Sequence, residues 1–206
     1  MTRLIPRGSA AAILLCSAFA AMPYAARAQM PGMSMSGMPG MDAPVTIPKG
    51  AIFTVADVRF MQGMIAHHGQ AIYMAQMAES HGANPRLLRF SQKIAQSQKA
   101  EIKLMQDWLV ANHQFAPDTS AWRHMTMPGM LTAEQLTELN AAKDTDFDRK
   151  FLTFMIQHHE GALKMVDDLL ATPLAAQDVD VSVFANDVTT VQTAEIGLME
   201  RMLDNL

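Results

Sequence analysis

Cysteine is all but missing from this chain: among 206 residues there is one, Cys16. It falls in the leader described below, so the mature chain is expected to carry no thiol and no disulfide. Positive charge is scarce as well. The formal net charge is −4 and no basic run occurs, which argues against nucleic acid as a partner. The sequence has no Gly-Lys-Ser/Thr phosphate loop, no nucleophile elbow and no His-Glu-x-x-His zinc motif, so the usual signatures of nucleotide and zinc hydrolases are lacking. Glu-x-x-His, which supplies ligands in ferritin-like di-iron sites, is also absent; Glu79-Ser-His81 has the wrong spacing. That weighs against an oxidase. The chain is expected not to be an enzyme, with a metal-dependent redox enzyme as the alternative. Calcium would ask for a carboxylate-rich loop, which is lacking, and no strand-like alternation is found.

Long apolar runs are missing too. Arg3 and Arg7 precede an apolar stretch from Ala10 to Ala21, followed by Ala26-Arg27-Ala28. The stretch is too short to cross a bilayer as a helix, and small-x-small is a cleavage signal. Residues 1–28 therefore read as a secretory signal peptide cut after Ala28. Ile13-Leu14-Leu15 lacks the small residues that a lipoprotein signal places before its cysteine. The expected location is the periplasm or the exterior, with no membrane span after processing.

Methionine is what the chain has in excess. Met1 and Met22 fall in the leader, leaving 17 of 19 in the mature chain. Residues 29–52 begin as a Met/Pro/Gly/Ser tail containing Met30, Met33, Met35, Met38 and Met41. Repeated Pro and Gly deny it a helix or strand. Exposed thioethers are open to oxidation and of no use to a linker, so the tail reads as a soft-metal segment.

The remaining sequence, residues 53–206, repeats itself. Phe60, Met64, His67-His68, Ala71 and Met74 return ninety-one positions on as Phe151, Met155, His158-His159, Ala162 and Met165. Gln98-x-x-Glu101-Ile102-x-x-Met105 returns as Gln192-x-x-Glu195-Ile196-x-x-Met199, ninety-four positions on. Two blocks in the same order mean a duplicated pair of helices. The repeats span about 53–112 and 146–206, with a linker at 113–145. Thr54 with Asp57, and Thr132 with Gln135, read as capping boxes. Asn84-Pro85 reads as a cap followed by Pro at the first helical position. Helices are expected from Thr54 to about Ser80, from Pro85 to about Ala111, from Ala133 to Lys143, from an Asp146 cap to Thr172-Pro173, and from about Val181 to Asp204. The fold class is all-α: a four-helix bundle of two duplicated hairpins related by a pseudo-twofold axis.

Heptad spacing places Phe60, Met64, His67, Ala71, Met74 and their second-half counterparts on core seams. Gln98, Glu101, Gln192 and Glu195 occupy core positions of the partner helices, and His68 and His159 lie on adjoining aliphatic seams. An unpaired buried polar group costs ~1–3 kcal/mol, against a net domain stability of ~5–15 kcal/mol. These groups must satisfy one another or hold an ion. The first alternative is a network of His67, His158, Glu101 and Glu195 across the bundle. The second is a metal site, favoured because Met64 and Met155 lie one turn before the histidine pairs and Met74 and Met165 continue the same seams. Thioether and imidazole without thiolate suit copper, Cu(I) above all, with Ag(I) similar. The candidate ligands are Met64, His67, His68, Met74, Met155, His158, His159 and Met165, supported by Gln98, Glu101, Gln192 and Glu195. The run His124-Met125-Thr126-Met127-Pro128-Gly129-Met130 offers a further soft-metal loop through His124, Met125, Met127 and Met130. His81 and His113 read as solvated or capping residues.

The blocks Asp57-x-x-Phe60-x-x-x-Met64-Ile65-x-His67-His68 and Phe147-Asp148-x-x-Phe151-x-x-x-Met155-Ile156-x-His158-His159, with Gln98-x-x-Glu101 and Gln192-x-x-Glu195, resemble a bacterial family known as domain of unknown function 305. The resemblance covers about residues 53–206. It implies a ferritin-like four-helix fold, and it includes periplasmic copper-resistance proteins of the CopM type, which bind copper through Met and His. Copper as the bound metal, and another periplasmic copper protein as a partner, are what the resemblance implies here. The two blocks differ in reading His-His-Gly-Gln and His-His-Glu-Gly, so the halves need not be equivalent. Lys143-Asp144 stands where a glycine is expected in the family's short turn. Processing is directly measurable: the mature chain is expected to begin at Gln29, and the intact mass of secreted material checks it. A retained, lipid-bearing Cys16 would place the protein on a membrane instead.

Overall fold

The computed structural model describes residues 44–206; the expected signal peptide and Met30–Met41 tail lie outside the described residues. Five α-helices and one 3-10 turn make up the described chain: α1 (Val55–Ser80), α2 (Pro85–Ala111), the turn Ala121–His124, α3 (Ala133–Ala141), α4 (Asp144–Leu170) and α5 (Val179–Leu203). The four long helices form an all-α bundle of two hairpins, α1–α2 and α4–α5, joined through α1 against α4.

Local chemistry sets most helix starts. Thr54 accepts from Asp57 N, and Asp57 reaches back to Thr54 N at 2.7 Å, completing the expected box. Asn84 Oδ1 accepts from Arg86 N and Leu87 N, both at 3.0 Å, with Pro85 opening α2. Thr132 and Gln135 form the second box, but α3 ends at Ala141, short of Lys143. The start of α4 corrects the sequence reading. Asp146 is not its cap: the helix begins at Asp144 after Lys143, which makes no side-chain cap. Asp146 sits in the first turn, where its carboxylate complements the helix dipole and pairs with Lys150 at 2.8 Å. The left-handed residue expected of this turn is Asp144 itself, at φ 51°, a conformation that Asp tolerates better than most residues. Its N–H donates to His81 O at 2.8 Å. His81 is buried at the end of α1 and bonds the Met77 and Asn140 carbonyls. Asp178 caps α5 two residues earlier than expected, accepting from Asp180 N and Val181 N.

Two repeat-related aspartates lock the hairpins together. Asp57, at the start of α1, accepts from Ala176 N at 2.7 Å in the α4–α5 connection. Asp148, its counterpart in α4, accepts from Asn84 Nδ2 at 2.6 Å and Asn84 N at 3.2 Å in the α1–α2 connection. Each carboxylate is buried. The exchange requires α1 and α4 to run antiparallel, as a pseudo-twofold axis perpendicular to them gives.

The linker breaks that symmetry. It runs back over α1, where Gln62 donates to Phe115 O at 2.8 Å and Gln70 pairs with both Leu131 N (2.7 Å) and Leu131 O (3.1 Å). Twenty of 26 residues in α1 are buried, against 12 of 27 in α4, so α1 is the central helix. Gly69 and Gly161 make the close passage possible. A Cβ on Gly69 would stand 2.2 Å from Thr119 O, and one on Gly161 would stand 2.1 Å from Pro128 O. The His-His-Gly-Gln and His-His-Glu-Gly difference therefore marks where the linker crosses each helix.

Replacing Asp148 with Ala leaves Asn84 N–H without its partner and is expected to lower unfolding free energy by ~1–3 kcal/mol. Asp57→Ala should do the same at the other end, the double mutant approaching the sum because the sites share no partner. Denaturant unfolding measures both. Losses under ~0.5 kcal/mol, the usual size for ordinary surface changes, would show that the clasp is dispensable.

Candidate metal centre

Burial divides the bundle along its length. One apolar cluster gathers Phe60, Met64 and Ile65 of α1, Ile102 and Met105 of α2, Met165 and Leu169 of α4, and Phe184 and Val188 of α5. The other gathers Met74 and Ala78, Leu87 and Ile94, Phe151 and Met155, and Met199 and Met202 from the same four helices. Between them lie His67, His68, Gln98, Glu101, His158, His159, Gln192 and Glu195. The expected core histidines thus form a single polar layer at mid-bundle, all four buried.

Antiparallel packing rearranges the methionines relative to the sequence reading. The sequence spacing groups Met64 and Met155 each with the histidines of its own helix. In the fold, Met64 shares a cluster with Met165, while Met155 shares the other with Met74. The layer therefore has thioethers from both hairpins above and below it. Met105 and Met199, repeat-related on α2 and α5, join these groups and were not among the expected ligands. Their heptad positions in the repeated Gln-Glu-Met blocks carried that signal.

At the centre the His67 and His158 rings stand 3.8 Å apart between centroids. His67 Nε2–H donates to Pro128 O at 3.0 Å, which leaves Nδ1 as a free lone pair. His158 has no hydrogen bond at either nitrogen. The alternative of a cross-bundle network of His67, His158, Glu101 and Glu195 does not form. The carboxylates bind the second histidine of each pair, within hairpins: His68 Nε2–H to Glu101 Oε2 at 2.7 Å, and His159 Nε2–H to Glu195 Oε2 at 3.0 Å. The reason is angular. Position i+1 on a helix turns ~100°, carrying His68 and His159 toward α2 and α5, while His67 and His158 face each other across α1 and α4.

This arrangement leaves many donors over. Nδ1 of all four histidines, Nε2 of His158, Oε1 of Gln98 and Gln192, and Oε1 of Glu195 are buried without a hydrogen bond. Among the described residues, every such atom belongs to this layer. Burial and the neighbouring His68 push His67 down from 6.5 to about 3, and burial followed by the nearby His67 pushes His158 down as well. Both imidazoles are neutral at physiological pH, as metal ligands must be. Burial raises the Glu101 pKa, but the His68 hydrogen bond and charge outweigh it and the net shift is downward. A carboxylate that holds Nε2–H of an imidazole and turns its Nδ1 lone pair outward is the supporting arrangement of histidine metal ligands. No group of three or more His, Cys, Asp or Glu converges as a ready-made metal cage among the described residues.

The linker loop brings three of its four candidates, Met125, Met127 and Met130, to one apolar cluster. Met125 and Met127 point inward and are buried in the Met64 cluster, Met130 is half-buried, and His124 is exposed. Pro128, unassigned by the sequence reading, supplies the carbonyl to His67; a backbone acceptor leaves no trace in side-chain patterns.

Residues 57–203 match the family described as Domain of unknown function (DUF305), and the chain belongs to that family. A DUF305 protein from Streptomyces coelicolor shares the fold at TM-score 0.64 and 24% identity, over 72% of this chain and 92% of that one. A DUF305 fragment from Deinococcus radiodurans matches at TM-score 0.63 and 26% identity, over 73% and 96%. CopM in its Cu(I)-bound form matches at TM-score 0.58 and 28% identity, over 72% and 96%; CopM is also solved in Cu(II)-bound and Ag-bound forms. No curated protein matches the sequence. Among the described residues, no helix is long and apolar enough to cross a membrane.

The neutral histidines make a pH prediction. A folded pKa below the unfolded value means that the unfolded chain takes up protons first. The His67 contribution is full above pH about 6.5 and is lost as pH falls from there toward about 3; His158 acts in the same direction. The melting temperature of the metal-free chain should fall through that window, less steeply in His67→Gln. A flat profile would mean that the rings are not held neutral.

Proposed function

We propose that this chain is a secreted or periplasmic copper-binding protein that sequesters Cu(I), or hands it to another periplasmic copper protein, through histidine and methionine. Ag(I) is the expected surrogate. The observation carrying this reading is the concentration of orphaned buried donors in one layer, His158 with both ring nitrogens free, flanked by thioethers from both hairpins. A buried polar atom without a partner costs ~1–3 kcal/mol, and a bound ion removes that cost for several atoms at once. Soft, neutral donors favour a soft monovalent ion. The similarity to CopM, solved with copper and silver, supports the same metal.

His67, His68, His158 and His159 are the candidate imidazole ligands of this proposal, no more than two of them to one ion since no three converge, and Met64, Met74, Met155 and Met165 the candidate thioethers. Glu101 and Glu195 orient His68 and His159, with Gln98 and Gln192 nearby in the layer. The Met30–Met41 tail adds capacity outside the core. The His124–Met130 loop, with Met125 and Met127 buried, is a weaker candidate.

A metal-free bundle has one observation in its favour, the two His–Glu hydrogen bonds; copper titration of the mature chain separates the readings. Copper bound to the folded state raises its melting temperature by linkage, whereas a closed network shows no response, and an accompanying oxidation assay reports any turnover. Met64→Leu with Met155→Leu, made without Met30–Met41, removes one thioether from each side of the layer at less than ~1.5 kcal/mol of packing each. The fold should persist and most copper-induced stabilisation should vanish. Full stabilisation in that variant would reject the methionine–histidine core site.

A further inference from the structure

The two glutamates of the layer meet the surface differently. The Glu101 side chain is 26% exposed and that of Glu195 only 6%. Over Glu195 stands Lys93 of α2, its ammonium 3.9 Å from Oε1. In the repeat register the counterpart of Lys93 is Asp187 of α5, ninety-four positions on, as Glu195 is from Glu101. One carboxylate is therefore covered by a cation, while the matching position on the other side carries an anion.

Asp187 lines a groove of about 780 Å³ between α2 and α5. Asp107, Asp178 and Asp180 line it too; Lys103, the one cation among its described lining residues, pairs with Asp107 at 2.7 Å, and Asp178 accepts from Trp108 Nε1 at 3.1 Å, which leaves Asp180 and Asp187 without a cation in the groove wall. Its wall includes Leu104, one turn from Glu101 on α2, and Phe184, whose ring centroid lies 6.4 Å from that of His68. Glu101 itself does not line the groove, but Ala100 and Leu104 on either side of it in α2 do, so the groove runs beside the His68–Glu101 pair. On the linker side the layer is closed by Pro128 over His67.

We propose that soft monovalent cations enter and leave the layer through this acidic groove by way of Glu101, and that Lys93 closes the Glu195 side to them. The proposal rests on the copper reading above. A cleft lined by one sign of charge concentrates counter-ions and speeds their association by about 10–10³-fold, an effect that falls steeply with ionic strength. Glu101, partly exposed and bonded to a buried imidazole, joins the groove to the layer.

The test is silver(I) uptake by the full mature chain, followed by stopped-flow tryptophan fluorescence. Histidine ring resonances at the end point report core loading. Asp187→Lys, an exposed change, should slow loading of the core about tenfold at low salt and flatten its salt dependence, with the same final silver content. Glu101→Gln should slow it as well, and Lys93→Asp should speed it by opening the second side. If Asp187→Lys and Glu101→Gln both load at wild-type rates to wild-type content, the port is wrong while the core site stands. If the wild-type histidine resonances do not respond to silver, both fall.

Discussion

Where α1 and α4 cross, the buried His67 and His158 rings stand 3.8 Å apart, and the rest of the bundle is arranged around that placement. Neutral imidazoles tolerate such proximity; two imidazolium ions so close and so dry would repel strongly. Burial at this contact lowers both histidine pKa values, which keeps the imidazoles neutral and their lone pairs available. Everything around the pair is adapted to that choice. Carboxylates hold the outer histidines, a backbone carbonyl holds His67, and apolar clusters seal both ends.

Duplication explains why the layer lies at mid-bundle. Two copies of one hairpin, related by a pseudo-twofold and packed antiparallel, bring equivalent residues together only near the axis. Residues displaced from the axis exchange partners instead. Asp57 therefore reaches the connection of the other hairpin, as Asp148 does, and Met64 joins Met165 rather than Met155. A layer built this way draws polar side chains from both copies.

The departures from symmetry bear on function as much as the symmetry does. The linker covers α1 and contributes Pro128 to one side of the layer, through gaps left by Gly69 and Gly161. On the α2–α5 side, Lys93 covers Glu195, whereas Glu101 stays in contact with solvent beside an acidic groove. A symmetric pair of hairpins would have two equal approaches to its centre. This chain has unequal ones.

The helices, their pairing and the burial of all four histidines were readable from the sequence, because heptad spacing, capping residues and a repeat are local or periodic properties of the chain. The helix starts at Thr54 and Asn84 were visible for the same reason, since cap and capped N–H lie within three residues. Where local signals compete, the reading failed: Asp146 has the chemistry of a cap, but the turn against His81 starts α4 earlier. Residue spacing alone fixes which residue types are buried and hence the softness of the donor set. Which histidine meets which carboxylate, and which methionines share a cluster, depends on the packed fold. That fold also decides which face the linker closes. Those contacts join residues some thirty to more than a hundred positions apart, and their geometry depends on helix rotation and antiparallel packing, neither of which a one-dimensional pattern records.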